Sequence, residues 1–411
     1  MATIEIPLDI KGVKVVEVEI TKSGDIIITV ESTVEGTLCH ACGRKLTKRH
    51  GHDRAITVRH LPILNMKTYI RIKPVRYQCT YCNGKPTTTQ RLPWYDERSP
   101  HTRAYEDHIL LELINNTVED VSIKEELGYE AVMGIIKRGV STEVNWEDIK
   151  GIDVLGIDEI SLKKGHKDFV SIVTGRSGDK LMILAVLKDR EKKTVKEFLL
   201  SIPRRLRKQV KAICSDMYEG FVNAAQEVFG KKIVVVDRFH VAKLYRKGLE
   251  DFRKKEMRRL KNELPEEEYK KLKGVMWILR KGNSKLTDEE KETLECLFKH
   301  SPLLELAYKL CNDLTDIFEE DISKSDAKRK IKNWKKRVKK SDLTCFDGFV
   351  KTLEKSIDQI TNYFIERQTS GFVEGLNNKI KVIKRRCYGI LNINHLFQRI
   401  FLDVQGYELF A

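Results

Sequence analysis

The chain alternates apolar and polar positions in two early runs, Val16-Val18-Ile20 and Ile26-Ile28-Val30, on either side of Ser23-Gly24-Asp25. Period-two alternation across a short Gly-containing turn predicts a β-hairpin. The segment YIRIKPVRYQC from Tyr69 alternates again and predicts a strand leading into Cys79. A Pro-, Arg- and Thr-rich loop at 85–100 closes this region. Over 101–140 the apolar spacing changes to three and four, with breaks at Asn115-Asn116-Thr117 and at Gly128, which predicts three short helices. Thr117 is placed to cap the second, and Gly128 to turn the chain into the third. Over 152–236 the pattern becomes strand-like in VLGID, FVSIVTG, LMILAVL, VKAICSD and KIVVVD, with helical segments near 194–200 and 220–229, an α/β arrangement. Strand patterns then disappear over 242–365, where Lys, Glu, Leu and Arg follow helical periodicity.

Length and composition narrow this picture. At 411 residues two to four domains are expected, and 41% hydrophobic residues suffice to build packed cores. The 76 Lys+Arg against 60 Asp+Glu give a net charge of +16, which makes nucleic acid the first partner to consider. No apolar run reaches the roughly 18 residues of a membrane span, and MATIEIPLDI does not read as a secretory leader, so a cytoplasmic protein without a membrane partner is expected. No G-x-x-x-x-G-K-[ST] loop suggests ATP use, and no Ser/His/Asp set stands in a strand-turn-helix context.

Four of the nine cysteines form two C-x-x-C pairs, Cys39 with Cys42 and Cys79 with Cys82. In a reducing compartment four thiolates suit a closed, tetrahedral, structural zinc site, with Gly43 and Gly84 turning the knuckles. The alternatives are a mixed site drawing on His40, His50, His52 or His60, or plain buried thiols. Cys214 lies inside a strand and reads as core.

In the three-helix region Val118, Val121 and Leu127 face Val132, Ile135 and Ile136, the spacing of a helix-turn-helix; Lys137 and Arg138, the candidate DNA-binding residues, lie at the end of the recognition helix this implies, and Glu130 near its start is a poor phosphate neighbour. A linker domain that touches no DNA is the alternative. Farther along, Asp158 ends VLGID, Asp216 ends AICSD, and Glu374 lies on a helix expected over about 369–386. Strand-end aspartates facing a helix glutamate can hold two Mg²⁺ ions; singly, each residue also reads as a turn cap or a surface acid. On that helix Phe372, Leu376, Ile380 and Ile383 form an apolar stripe, and Glu374, Asn378, Lys381 and Arg385 form a second. Lys381, Lys384, Arg385 and Arg386, with the basic stretch Lys324–Lys340, are candidates to hold phosphates, although a solvated helix face equally explains the latter. His240 follows VVVD and is a candidate neighbour of the site, or a packed or surface histidine.

The blocks GIDEISLKKGHKDFVSIVTG, ICSDMYEGF, VVVDRFHVAK and GFVEGLNNKIKVIKRRCYGILN, preceded by CHACG, LPI and RYQCTYC, resemble the ISL-three family of bacterial insertion-sequence transposases across essentially the whole chain. Thr174-Gly175 and Cys387 depart from the family pattern. The resemblance implies a DDE transposase in which Asp158, Asp216 and Glu374 match the catalytic triad and Mg²⁺ or Mn²⁺ is used beside Zn²⁺. It implies an α/β ribonuclease-H-like core with a helical insertion, preceded by a zinc-binding β module and a helix-turn-helix. The expected division is 1–92 for the hairpin and zinc module, 93–148 for the helix-turn-helix, 149–240 with 366–411 for the catalytic domain, and 241–365 for the insertion. The function implied is binding of terminal inverted repeats, phosphodiester hydrolysis and strand transfer into target DNA, by a homo-oligomer, a dimer in synapsis, associated with the nucleoid. The alternatives are a domesticated, non-catalytic DNA-binding protein and a ribonuclease-H-type nuclease acting on RNA.

Overall fold

The computed structural model describes residues 5–162, 168–230, 234–282, 285–367 and 371–411, without the side chains of residues 366 and 371–374. The described residues divide into two compact units, one made of 1–141 with 401–411 and the other of 142–400.

The first unit opens with β1 (Val13–Ile20) and β2 (Ile26–Ser32), the hairpin expected from the alternation. Short strands β3 (Thr37–Leu38), β4 (Lys45–Leu46) and β5 (Arg49–His52) precede β6 (Ile56–Ile63), β7 (Met66–Ile72), β8 (Val75–Gln78) and β9 (Thr87–Thr89). The main sheet has the order β1-β2-β7-β6, with β2 and β7 parallel. Ile26, Ile28 and Val30 point inward from β2 and pack with Val58, Ile70, Ile72, Leu92 and Tyr95. The alternation in β1, the edge strand of this sheet, does not bury one face: Val15, Val16, Val18 and Ile20 are exposed.

Helices α1 (Arg103–Glu112), α2 (Val118–Glu125) and α3 (Tyr129–Gly139) follow, as the three-and-four spacing predicts. Thr117 and Asp120 form a reciprocal capping box at the start of α2. The residue that turns the chain is Glu126, at φ 49°, and not Gly128, which begins α3 in extended conformation. Tyr105, Ile109, Leu110, Leu113, Val121, Val132, Ile135 and Ile136 form the cluster's core.

The second unit is built on β10 (Val154–Ser161), β11 (Phe169–Ser177), β12 (Lys180–Leu187), β13 (Ala212–Ser215) and β14 (Val234–Val236) in the order β12-β11-β10-β13-β14. β10, β11 and β12 form an antiparallel meander, and β10, β13 and β14 run parallel. Helices α4 (Lys192–Ser201) and α5 (Arg204–Arg207) lead from β12 to β13, and α6 (Glu219–Phe229) leads from β13 to β14. Val195, Leu199, Phe221, Ala224 and Ala225 of these helices pack on Leu155, Ile157, Val173 and Ile213 of the sheet.

A helical block then runs through α7 (Arg238–Glu263), α8 (Glu266–Lys270), α9 (Val275–Ile278), α10 (Asp288–His300), α11 (Pro302–Glu319), α12 (Lys324–Lys340), α13 (Asp347–Thr361) and α14 (Tyr363–Glu366). Its core, with Tyr245, Leu249, Leu314, Trp334 and Phe346, is continuous with Val154, Ala212, Cys214 and Val235 of the sheet. Trp334 is fully buried and its indole N–H donates to the Leu310 carbonyl at 2.7 Å. Last come α15 (Gly371–Arg386) and α16 (Ile393–Phe410). No helix among the described residues is long and apolar enough to cross a membrane.

Candidate active site and metal centre

The cysteine knuckles stand at the ends of short strands. Gly43 and Gly84, at φ 71° and 81°, allow each loop to fold back, so that the Gly43 amide donates to the Cys39 carbonyl and the Cys39 amide to the Arg44 carbonyl. The four Sγ atoms lie within 4.8 Å of one another, and those of Cys42 and Cys79 are 3.9 Å apart. Thiolates about 2.3 Å from a tetrahedral zinc are about 3.8 Å apart, so the donor set fits the ion. No histidine joins this group among the described residues. His40 Nδ1 is 2.9 Å from Thr88 Oγ1, His60 Nδ1 is 2.9 Å from Thr102 Oγ1, and His50 and His52 are exposed. The Cys42 and Ala41 amides lower the Cys39 thiol to about 6, while the neighbouring Cys42 and Cys79 thiols push Cys82 up to about 12. That competition for one negative charge is what a bound cation relieves.

At the end of α3, Lys137 is exposed, but Arg138 donates to Glu106 at 2.5 Å. Burial would raise the Glu106 carboxyl; the His101 ring 3.8 Å away and hydrogen bonds from Arg138 and Ser99 outweigh it and hold the group at about 2. Arg138 thus braces the trihelical cluster.

The carboxylates on the second unit's sheet are aligned by strand register. β10 and β13 pair Ile157 with Ser215, and β13 and β14 pair Ser215 with Val236. The residue after each of these three is an aspartate: Asp158 within β10, Asp216 just past β13 and Asp237 just past β14. Asp158 does not end its strand, which continues through Ser161 because β11 still pairs with it there. Each carboxylate accepts a nearby amide, Asp158 that of Glu159 at 2.7 Å, Asp216 that of Tyr218 at 2.8 Å and Asp237 that of Phe239 at 2.9 Å. His240 Nδ1 lies 3.2 Å from Asp237 Oδ2. Burial raises the Asp216 carboxyl to about 6, and the negative charges of Asp158 and Glu159 add to the effect; burial raises Asp158 as well.

Glu374 belongs to α15, but its side chain lies outside the described residues. The helix itself is seated on the sheet. Leu376, Ile380 and Ile383 of the expected apolar stripe are buried. Asn377 donates through Nδ2 to Asp158 Oδ2 at 2.5 Å, and its Oδ1 is buried with no hydrogen-bond partner among the described residues. Lys384 donates to the Ser161 carbonyl, and Lys381 and Arg385 are exposed. Arg386 is half-buried.

Three neighbours of the aspartates were not among the residues expected from the sequence. Asn377 was passed over for Asn378, because positions three and four beyond Glu374 both face the same side of a helix. Asp237 repeats the strand-ending pattern of Asp216, a readable signal. Arg190 lies over the rings of Phe169 and Tyr218 at 4.6 and 4.8 Å and donates to Glu159 at 2.8 Å, which no sequence spacing announces. Two like-charged, half-buried carboxylates beside an unpartnered amide oxygen form an oxygen-rich donor set that suits a hard divalent cation.

The basic helix α12 is different. Lys328, Arg329, Lys330, Lys335, Arg337 and Lys339 form ion pairs with Asp358, Asp326, Glu320, Glu354, Asp313 and Glu354 respectively. Five acids thus offset about half of the ten Lys and Arg of this helix.

Comparison with known proteins agrees with the geometry. Residues 155–400 match a family described as transposase, the DDE type named for ISL3. Residues 35–82 match the zinc-finger of the transposases of IS204, IS1001, IS1096 and IS1165. The transposase for insertion sequence element IS1001 of Bordetella parapertussis is 25% identical over 95% of this chain and 94% of its own length. That for element IS1557 of Mycobacterium tuberculosis is 21% identical over 90% of this chain and 86% of its own.

Proposed function

This chain belongs to the ISL-three family of DDE transposases, and from that premise we propose that it cuts and joins DNA at the ends of an insertion sequence. In this reading the mixed sheet is a ribonuclease-H-like core, and Asp158, Asp216 and Glu374 are its catalytic carboxylates. The observation that carries the reading is the register that sets Asp158 beside Asp216 while Asn377 ties α15, the helix of Glu374, to Asp158.

Two Mg²⁺ or Mn²⁺ ions held by these carboxylates would supply activation of a water or a DNA 3′-hydroxyl and neutralisation of the leaving oxygen. The chain's own groups do the rest. The Glu159 amide and Asn377 fix the orientation of the Asp158 carboxylate, and the Tyr218 amide fixes that of Asp216. Lys381 and Arg385 hold the DNA backbone beside the cut. Water attacks the phosphodiester at the element end and releases a 3′-hydroxyl; that hydroxyl then attacks a target phosphodiester, so one bond forms as another breaks and no covalent protein intermediate is required. The zinc module and the trihelical cluster, read as a helix-turn-helix with Lys137 toward DNA, recognise the terminal inverted repeats. A homo-oligomer, a dimer in synapsis, brings two ends together.

The test is nicking and strand transfer on duplexes bearing the flanking inverted repeats, with Mg²⁺ or Mn²⁺. Wild type should cut, and Asp158→Asn, Asp216→Asn and Glu374→Gln should each lower the rate by at least about a thousandfold with end binding unchanged. A wild type that binds the ends and cuts nothing under either metal would overturn the catalytic reading.

A further inference from the structure

The ring of Tyr388, just past the end of α15, is 97% exposed, the most exposed of the large apolar side chains described. An aromatic residue left wholly in water forgoes the stabilisation that burial gives it. The backbone of the helix end fixes its position. Tyr388 lies in the left-handed region at φ 53°, Gly389 follows at φ 97°, and the Gly389 amide donates to the Lys384 carbonyl at 2.8 Å, closing the helix end. A left-handed non-glycine residue is strained, and such strain gathers at functional sites.

The ring borders a cleft of about 550 Å³ lined by Lys381, Lys384, Arg385, Tyr388 and Gly389. The three cations have neutral partners: the Asn378 side chain for Lys381, the Ser161 carbonyl for Lys384 and the Lys381 carbonyl for Arg385. No carboxylate pairs with them among the described residues, in contrast to α12. Uncompensated cations around an open cleft call for an anion, and a bare aromatic face at its rim calls for a flat apolar partner. A nucleotide offers both.

We propose that this cleft is a single-strand site, in which Lys381, Lys384 and Arg385 hold the backbone phosphates of a displaced DNA strand and Tyr388 stacks on one of its unpaired bases. The proposal rests on the DNA-cutting reading above and locates the strand relative to the carboxylates. Tyr388 is eleven residues beyond Asn377, roughly 16 Å along a helix axis. A strand that follows the cationic face of α15 from Asp158 therefore reaches the ring after about five stacked nucleotides. Duplex opening near the cut is the structural consequence, and the base that leaves the stack is read by its face and not by its edge, so the contact is indifferent to sequence.

Two measurements test this on the full-length protein. The first is binding of a fluorescein-labelled oligothymidine of about 12 nucleotides, which needs neither the element ends nor cleavage. Tyr388→Ala should weaken it by about 5- to 100-fold, the range a base–aromatic stack accounts for, with the salt dependence unchanged, while Tyr388→Phe stays within about twofold because the ring face is kept. Lys381→Ala and Arg385→Ala should each flatten the salt dependence by somewhat less than one charge. The second is 2-aminopurine fluorescence in end duplexes, substituted at one position at a time: emission should rise on binding about five nucleotides from the cut for wild type and not for Tyr388→Ala. Equal oligothymidine binding by wild type and Tyr388→Ala, or an equal loss in Tyr388→Phe, overturns the proposal. So does a Tyr388→Ala protein that sediments as a smaller species with unchanged affinity per subunit, since the ring would then be a contact between copies. Failure of cleavage alone, with these binding differences intact, would sink the transposase reading and leave the site standing.

Discussion

Asp216 lies beside Asp158 in a half-buried position, where a second negative charge is costly. With its carboxyl raised to about 6 from 3.8, the group favours folding fully below pH ~4 and loses that contribution as pH rises to about 6. The metal-free protein therefore gains stability on acidification through this window, by up to about 3 kcal/mol from this group. Asp216→Asn should raise the thermal midpoint of the metal-free protein at pH 7 while abolishing the further rise that Mg²⁺ gives wild type; calorimetric scans with and without the ion check both. Asn377→Ala frees the Asp158 carboxylate and should weaken Mn²⁺ binding by about 10- to 100-fold, the usual effect of losing a group that orients a ligand, measured by titration calorimetry. Equal binding by this variant would mean Asp158 is positioned without it. Asp158 and Asp216 were legible in the sequence as acids within strand patterns. Asn377 was not, since two adjacent asparagines share a helix face and only packing against β10 selects one.

At the level of elements, the cysteine pairs were the most legible feature, because C-x-x-C followed by Gly has few folded solutions. The strands around them are two to four residues long, too short to hold a core without a crosslink. Chelation should release about one zinc per chain, and Cys79→Ser should do the same and expose the module to limited proteolysis; a protease-resistant, zinc-free module would contradict a structural role for the ion. Helix α12 shows the opposite case. Its sequence reads as a phosphate-seeking run, yet three of the acids that pair with it, Asp358, Glu354 and Asp313, lie on other helices, which no local pattern reveals. Lys328→Ala and Lys335→Ala should leave DNA affinity within about twofold, as expected for exposed ion pairs, whereas Lys381→Ala should not; filter binding across a salt series separates them. Strand β1 makes a related point: its alternation announced the hairpin, but alternation says which residues share a face and not whether anything covers it.

On the scale of the whole chain, the long separation of Asp216 from Glu374 is occupied by the helical block between β14 and α15, whose helical periodicity was legible. What the sequence hid is that the first unit is not contiguous. Leu402 of α16 is fully buried among Tyr105, Leu113 and Ile136, the Asn115 amide donates to Asp403 at 3.1 Å, and Gly406 lies so near Ile114 that a Cβ would come 2.8 Å from its Cδ1. Such closures pair segments far apart in sequence, and neither helical period nor composition encodes them. Leu402→Ala should destabilise the cluster around Tyr105 by about 2–5 kcal/mol, seen as faster amide exchange in α1 and α3. The order of synthesis then acquires a meaning. Residues 101–140 leave the ribosome long before the α16 residues that complete their core, so a message broken off in between yields a polypeptide whose trihelical cluster cannot close around Leu402 and is left to unfold or be degraded.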